Sequence, residues 1–131
     1  MKYFTIDELS RSIEAERLKI RNIPGATEQA RLIALVENVL DPAREKFGKA
    51  IKVNSGYRCY KLNKQIGGAI TSQHLRGEAA DITAGSKAEN RKLFEILRTM
   101  DFDQLINEHD FTWIHVSYKD KNRNRHQILA I

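Results

Sequence analysis

Hydrophobic positions fall into two periods along this chain, and the change of period divides it. In residues 7–20, Leu9, Ile13, Leu18 and Ile20 recur at a loose helical spacing behind Thr5 or Asp7 as a cap, which predicts an amphipathic helix. Pro24-Gly25 interrupts it. Thr27 then caps a second helix whose stripe is Leu32, Leu35, Val36, Val39 and Leu40; it is expected to end or kink at Pro42, resume through Phe47 and stop at Gly48. From Ile51 the period shortens to two. Residues 51–55 alternate as a strand does, Lys61 to Ile66 suit a short helix ended by Gly67-Gly68, and Glu78 to Thr83 read as a further strand. Ser86 caps a helix from about Lys87 to Arg98, with Leu93, Phe94 and Leu97 inward.

Phe102 to Glu108 and Thr112 to Tyr118 read as a hairpin. Pairing Glu108 with Trp113 sets Ile106 opposite His115 and Gln104 opposite Ser117 on one face, with Leu105, Ile114, Val116 and Tyr118 on the other. A slip of one residue would reverse every side chain. The order predicts an α+β domain, with N-terminal helices and the 87–98 helix packed on a small, mostly antiparallel sheet whose open face carries the chemistry.

At 131 residues and 41% hydrophobic, the chain supports one domain with its own core. We divide it into a helical scaffold (1–49), a core carrying the site (50–118) and a basic end (119–131). A single cysteine, Cys59, excludes an internal disulfide and leaves imidazole and carboxylate as the metal ligands available. The N-terminus turns polar before any apolar run of signal-peptide length, and no stretch approaches eighteen apolar residues. No signal peptide and no membrane insertion are therefore expected. The +5 formal charge owes much to Lys119, Lys121, Arg123 and Arg125, which with His126 are read as a solvated basic end in preference to a surface for nucleic acid or an anionic polymer.

The chemistry concentrates in Ser72-Gln73-His74-Leu75-Arg76-Gly77-Glu78-Ala79-Ala80-Asp81, answered by Trp113-Ile114-His115. His74, Asp81 and His115 supply two imidazoles and a carboxylate, a set that holds zinc and leaves its fourth position open. Seven residues of one helix would separate His74 from Asp81 by about 10 Å along the axis, so a break is required, and Gly77 permits it. Small Ala79 and Ala80 let metal and substrate approach the backbone. Glu78 reads as solvated.

Ser72-x-His74-x-x-Gly77-x-Ala79-x-Asp81 with Trp113-x-His115, extended upstream by Ser55-Gly56-Tyr57-Arg58 and Leu62-Asn63, resembles the signature of the zinc D-Ala-D-Ala carboxypeptidases and dipeptidases of the peptidase M15 family, including phage-type L-alanyl-D-glutamate endolysins. The resemblance covers roughly residues 50–118. It implies one zinc per chain, a monomer, and hydrolysis of a peptide bond in peptidoglycan peptides, with Arg58 holding the substrate.

An arginine after a strand end is also suited to a carboxylate in its own right, through two parallel hydrogen bonds. Ser72 is expected to orient His74 or contact substrate, and Gln104 to line the cleft. Proton transfer requires a further group, for which Glu108, Asp110 and His109 are the candidates. The hairpin register favours Glu108, with Asp110 second. In some relatives a glutamate sits three residues before the final histidine; here that residue is Thr112. A zinc-containing wall-binding module without turnover is the alternative. Without a signal peptide, a wall hydrolase of this kind is expected to be cytoplasmic, phage-encoded or virion-associated.

Overall fold

The computed structural model describes all 131 residues. Helices α1 (Ile6–Ser10) and α2 (Ile13–Leu18) replace the single helix expected over 7–20. The break has a local cause: Ser12 is extended and its hydroxyl accepts from Ala15 N at 3.1 Å, so it starts a new helix. Lys19, in the left-handed region at φ 56°, ends α2. Asn22 then ties this corner inward, donating to Ser10 O and Tyr57 O, each at 2.8 Å, and accepting from Cys59 N at 2.7 Å.

α3 (Ala26–Leu35) does not stop at Pro42. It widens into a π-helical stretch (Val36–Leu40) and continues as α4 (Asp41–Phe47), ending at left-handed Gly48. Pro42 offers no N–H and its ring would clash with the carbonyl four residues back; a wide stretch just ahead of it accommodates the ring without breaking the helix. The Asp41 carboxylate accepts from the N–H groups of Lys2 (2.6 Å) and Tyr3 (3.0 Å), fixing the N-terminus against this helix.

Five strands follow in a sheet of order β1-β2-β4-β3-β5: β1 (Lys52–Ser55), β2 (Ala79–Thr83), β3 (Gln104–Glu108), β4 (Trp113–Ser117) and β5 (Gln127–Ala130). α5 (Tyr60–Gln65) and a 3₁₀ turn (Gln73–Arg76) lie between β1 and β2, and α6 (Lys87–Leu97) between β2 and β3. The hairpin has the expected register, with Glu108 paired to Trp113 and Ile106 to His115.

The end of the chain departs from expectation. Residues 119–131 are not simply a solvated tail: after a turn, β5 adds to the sheet parallel to β3, pairing Gln104 with Gln127 and Ile106 with Leu129. β5 is mostly exposed, without the inward alternation that marks a strand in sequence. The other pairings are antiparallel.

Period two sorts the sheet into two faces. Ala80, Ile82, Leu105, Ile114 and Val116 point to one side and join Leu9, Leu32, Leu35, Leu40, Leu93 and Leu97 in a buried cluster of 19 residues. Each fully buried leucine or isoleucine contributes about 1.5–3 kcal/mol through removal from water. That face is closed by helices. Asp81, Gln104, Ile106, Glu108 and His115 belong to the opposite face, where a cleft opens.

Candidate metal centre

His74, Asp81 and His115 arrive by different routes. β2 and β4 pair Asp81 directly with His115, which places the carboxylate and the imidazole on neighbouring strands. His74 comes from the 3₁₀ turn, whose start is capped by Ser72: its Oγ accepts from His74 N at 3.2 Å. Gly77 ends that turn at φ 77°, and a Cβ there would meet the Glu28 carbonyl oxygen at 2.6 Å. This reversal brings His74 and Asp81 to one point despite their separation in sequence.

The donor atoms converge. Asp81 Oδ1 lies 3.0 Å from His115 Nδ1 and 3.4 Å from His74 Nε2, and the three ligating atoms lie within 4.8 Å of one another. Tetrahedral zinc with bonds of about 2.1 Å holds its donors about 3.4 Å apart, so the spacing fits the ion. The tautomer of His74 is fixed from behind. Its Nδ1 is 2.7 Å from Gly56 O, and a carbonyl only accepts, so Nδ1 carries the proton and Nε2 presents its lone pair inward. A Cβ on Gly56 would stand 2.1 Å from Leu9 O, which keeps this position free of any side chain.

Asp81 is only 21% exposed, and its ion-pair partners are the two imidazoles. Burial works against its ionisation, but the hydrogen bond from His115, with the His74 imidazole beside it, prevails and holds the carboxyl well below the ordinary carboxylate range. An ionised, partly buried carboxylate between two imidazoles is a donor set suited to a divalent cation. The sheet and the 3₁₀ turn thus build a centre that can hold one metal ion.

Around it runs a cleft of about 590 Å³ lined by Arg58, Ser72, Gln73, Arg76, Gln104, Glu108, Lys119 and Arg125, among others. A Peptidase M15 family description matches residues 2–117. The chain belongs to the peptidase M15 family. Over 66 residues, half of its length, this M15 domain is 38% identical to the zinc D-Ala-D-Ala carboxypeptidase of Streptomyces albus G. The match spans 26% of that relative, so the two proteins are alike over a limited segment.

Of the residues singled out in sequence, the structure gathers His74, Asp81, His115, Arg58, Ser72, Gln104 and Glu108 in one cleft. Arg58 is held there by its own N–H, which donates to His74 O at 3.1 Å, and its Nη2 reaches Ser72 Oγ at 3.4 Å. Its Nε is buried without a hydrogen-bond partner, and burial lowers its pKa while nearby Asp81 opposes that. Such a guanidinium retains donor capacity for a ligand.

Asp110 is not brought to the cleft. Its side chain is 74% exposed and faces Lys87 Nζ at 3.8 Å. The reason is backbone geometry: His109, Asp110 and Phe111 all have positive φ (49°, 53° and 61°), so the hairpin turn curls away from the open face of the sheet. Asn90 holds this turn through Phe111 O at 2.8 Å, and Asn107 Oδ1 accepts from Phe111 N at 2.6 Å. His109 stacks on Trp113, with ring centroids 4.8 Å apart. Ser117, opposite Gln104 on the same face of the hairpin, is fully buried and does not line the cleft; its Oγ accepts from Gln104 N at 3.0 Å. Glu78 is 6% exposed instead of solvated, with Arg76 at 3.8 Å.

Sequence reasoning passed over one buried charge, Asp103. It is fully buried and accepts from Gln73 Nε2 at 2.9 Å and from Arg125 N, Nε and Nη2 at 2.9, 3.0 and 2.8 Å. Gln73 directly precedes His74, so this carboxylate braces the metal-bearing turn against the C-terminal segment.

Burial raises the Asp103 pKa, but the bonds from Arg125 and Gln73 outweigh it and bring it from 3.8 down to about 2. A folded pKa below the unfolded one gives stability that is present above pH 4 and lost as pH falls toward 2. The contribution is about 2 kcal/mol. Urea melts between pH 2 and 5 should show Asp103→Asn losing this part of the acid dependence; identical slopes in both proteins would refute it.

Proposed function

We propose that this chain is a zinc-dependent peptidase that hydrolyses a peptide bond in bacterial cell-wall peptides, of the D-Ala-D-Ala carboxypeptidase or L-Ala-D-Glu endopeptidase type. The observation that carries the proposal is the convergence of His74, Asp81 and His115 in a cleft that also holds an unpaired carboxylate, Glu108, and a guanidinium with free donors, Arg58. Family membership and the name of the Streptomyces relative support the same reading.

Zinc bound by these residues supplies Lewis-acid polarisation of the scissile carbonyl and makes a nearby water more acidic. The chain's own groups do the rest. Gly56 fixes the His74 tautomer, and Asp81 remains ionised, so the donor set persists at neutral pH. Arg58 holds a substrate carboxylate or carbonyl through parallel N–H bonds. Glu108 takes a proton from the attacking water as the new C–O bond forms, and returns it to the amide nitrogen as the C–N bond breaks.

A wall-binding module without turnover is the second reading, favoured by Thr112 at the place where some relatives carry a glutamate. The Thr112 hydroxyl donates to His109 O at 2.6 Å, so it is engaged in the turn. Digestion of purified peptidoglycan, with mass analysis of the fragments, separates the two readings. Release of defined peptide fragments, dependent on zinc, is expected. Zinc-loaded protein that binds the wall but liberates nothing would establish the module instead.

A further inference from the structure

The cleft has a second charged end, on the side of Gln104 and β5. Strand register places it: Ile106 is opposite His115, Gln104 lies two residues further along β3, and Lys119 lies two residues beyond the end of β4 at Ser117. At about 3.4 Å per residue, the level of Gln104 is about 7 Å, and Lys119 about 14 Å, from His115 along the strands. Arg125 joins this end because β5 pairs Gln127 with Gln104.

Two features make it a built site. Arg125 is locked by fully buried Asp103, which accepts from its Nε and Nη2, leaving Nη1 free at a fixed position on the cleft wall. Lys119 lines the same wall and makes no ion pair. Its backbone is fixed by Asn124 Oδ1 at 2.8 Å, while the neighbouring Asp120 is taken up by Arg123 at 2.5 Å. Asp103 balances the charge of Arg125, so Lys119 contributes the unbalanced positive charge.

We propose that Lys119 and Arg125 form a cationic subsite that binds a carboxylate of the peptide substrate two to four residues from the scissile bond. The proposal rests on the peptidase reading for its substrate and extends it: Arg58 is held at Ser72 and His74, beside the metal ligands, whereas Arg125 is held by Asp103 next to β3 and β5, so the subsite reads a carboxylate separate from the one at Arg58. An extended peptide rises about 3.4 Å per residue, so a chain laid along the strands reaches this end with its second to fourth residue from the metal. The carboxylate is either an acidic side chain or the peptide's C-terminus.

Three synthetic cell-wall peptides distinguish these sources: the parent, the parent with its side-chain carboxylate converted to an amide, and the parent with a C-terminal amide. Calorimetric titration into zinc-loaded Glu108→Gln protein reads binding without turnover. One of the two amides is expected to bind weaker than the parent, by about two- to fivefold, the scale of a partly exposed charge contact. Adding Lys119→Gln should remove most of that difference, Lys119→Glu should reverse it, and raised salt should narrow it in the Lys119 protein. A parent-to-amide ratio unchanged by Lys119→Gln and by Lys119→Glu, or no binding of any peptide, overturns the subsite. Selective binding without cleavage by the unsubstituted protein would leave the subsite standing and remove the peptidase reading alone.

Discussion

Replacing His115 with alanine is expected to abolish both zinc binding and hydrolysis while leaving the fold intact. His115 lies in the middle of β4 with its backbone paired to Asp81 on one side and Ile106 on the other, and those ladder bonds do not depend on the side chain. The imidazole, however, is one of three donors, and Asp81 Oδ1 lies 3.0 Å from it. Losing a partner that merely supports a ligand lowers metal affinity about 10- to 100-fold, so losing the ligand itself should cost more than about 100-fold. Competition with a chromophoric chelator measures the affinity, and circular dichroism checks the fold. Retained zinc affinity in a folded His115→Ala protein would remove His115 from the donor set.

Glu108→Gln should retain zinc and peptide affinity but lower kcat by about 10²- to 10⁴-fold, the usual contribution of a placed proton-transfer group. The expectation comes from register. Glu108 pairs with Trp113 at the far end of β3, on the face that carries Ile106 and, across the ladder, His115. Its carboxylate lines the cleft on the diagonal from the metal ligand, whereas Asp110 is turned out toward Lys87. Asp110→Asn should therefore change kcat less than about twofold, as is usual for an exposed surface substitution. The reverse pattern, with Asp110 needed and Glu108 dispensable, would assign proton transfer outside the cleft and contradict the register argument.

The sequence made the face of each strand legible because a period of two leaves no freedom once one side is buried. Leu105, Ile114 and Val116 had to share the core side, and this carried Ile106, Glu108 and His115 to the other. The metal group was legible for a different reason: only imidazoles and carboxylates were available, and Gly77 marked the reversal that brings His74 to Asp81.

Other features depended on contacts between distant residues. β5 forms because β3 offers an unpaired edge, although its own residues mostly remain exposed, so the basic cluster from Lys119 to His126 looked like a tail until that pairing carried Arg125 to the cleft. Asp103 was hidden for the same reason, since three of the four hydrogen bonds to its carboxylate come from a residue 22 positions later. The break between α1 and α2 was local, and the capping serine at 12 was a signal present in the sequence but outweighed by the hydrophobic spacing around it. The turn at 109–111 had no such signal, because none of its residues is a glycine to announce positive φ.

X-ray absorption at the zinc K-edge of the protein loaded with one equivalent tests the central claim most directly. Two imidazoles and a carboxylate predict a first coordination sphere of nitrogen and oxygen at about 2.0–2.2 Å, with multiple scattering from two histidine rings and no sulfur. Scattering at about 2.3 Å from a thiolate, for which Cys59 is the only source in this chain, or a shell of oxygen with no histidine signature, would contradict it.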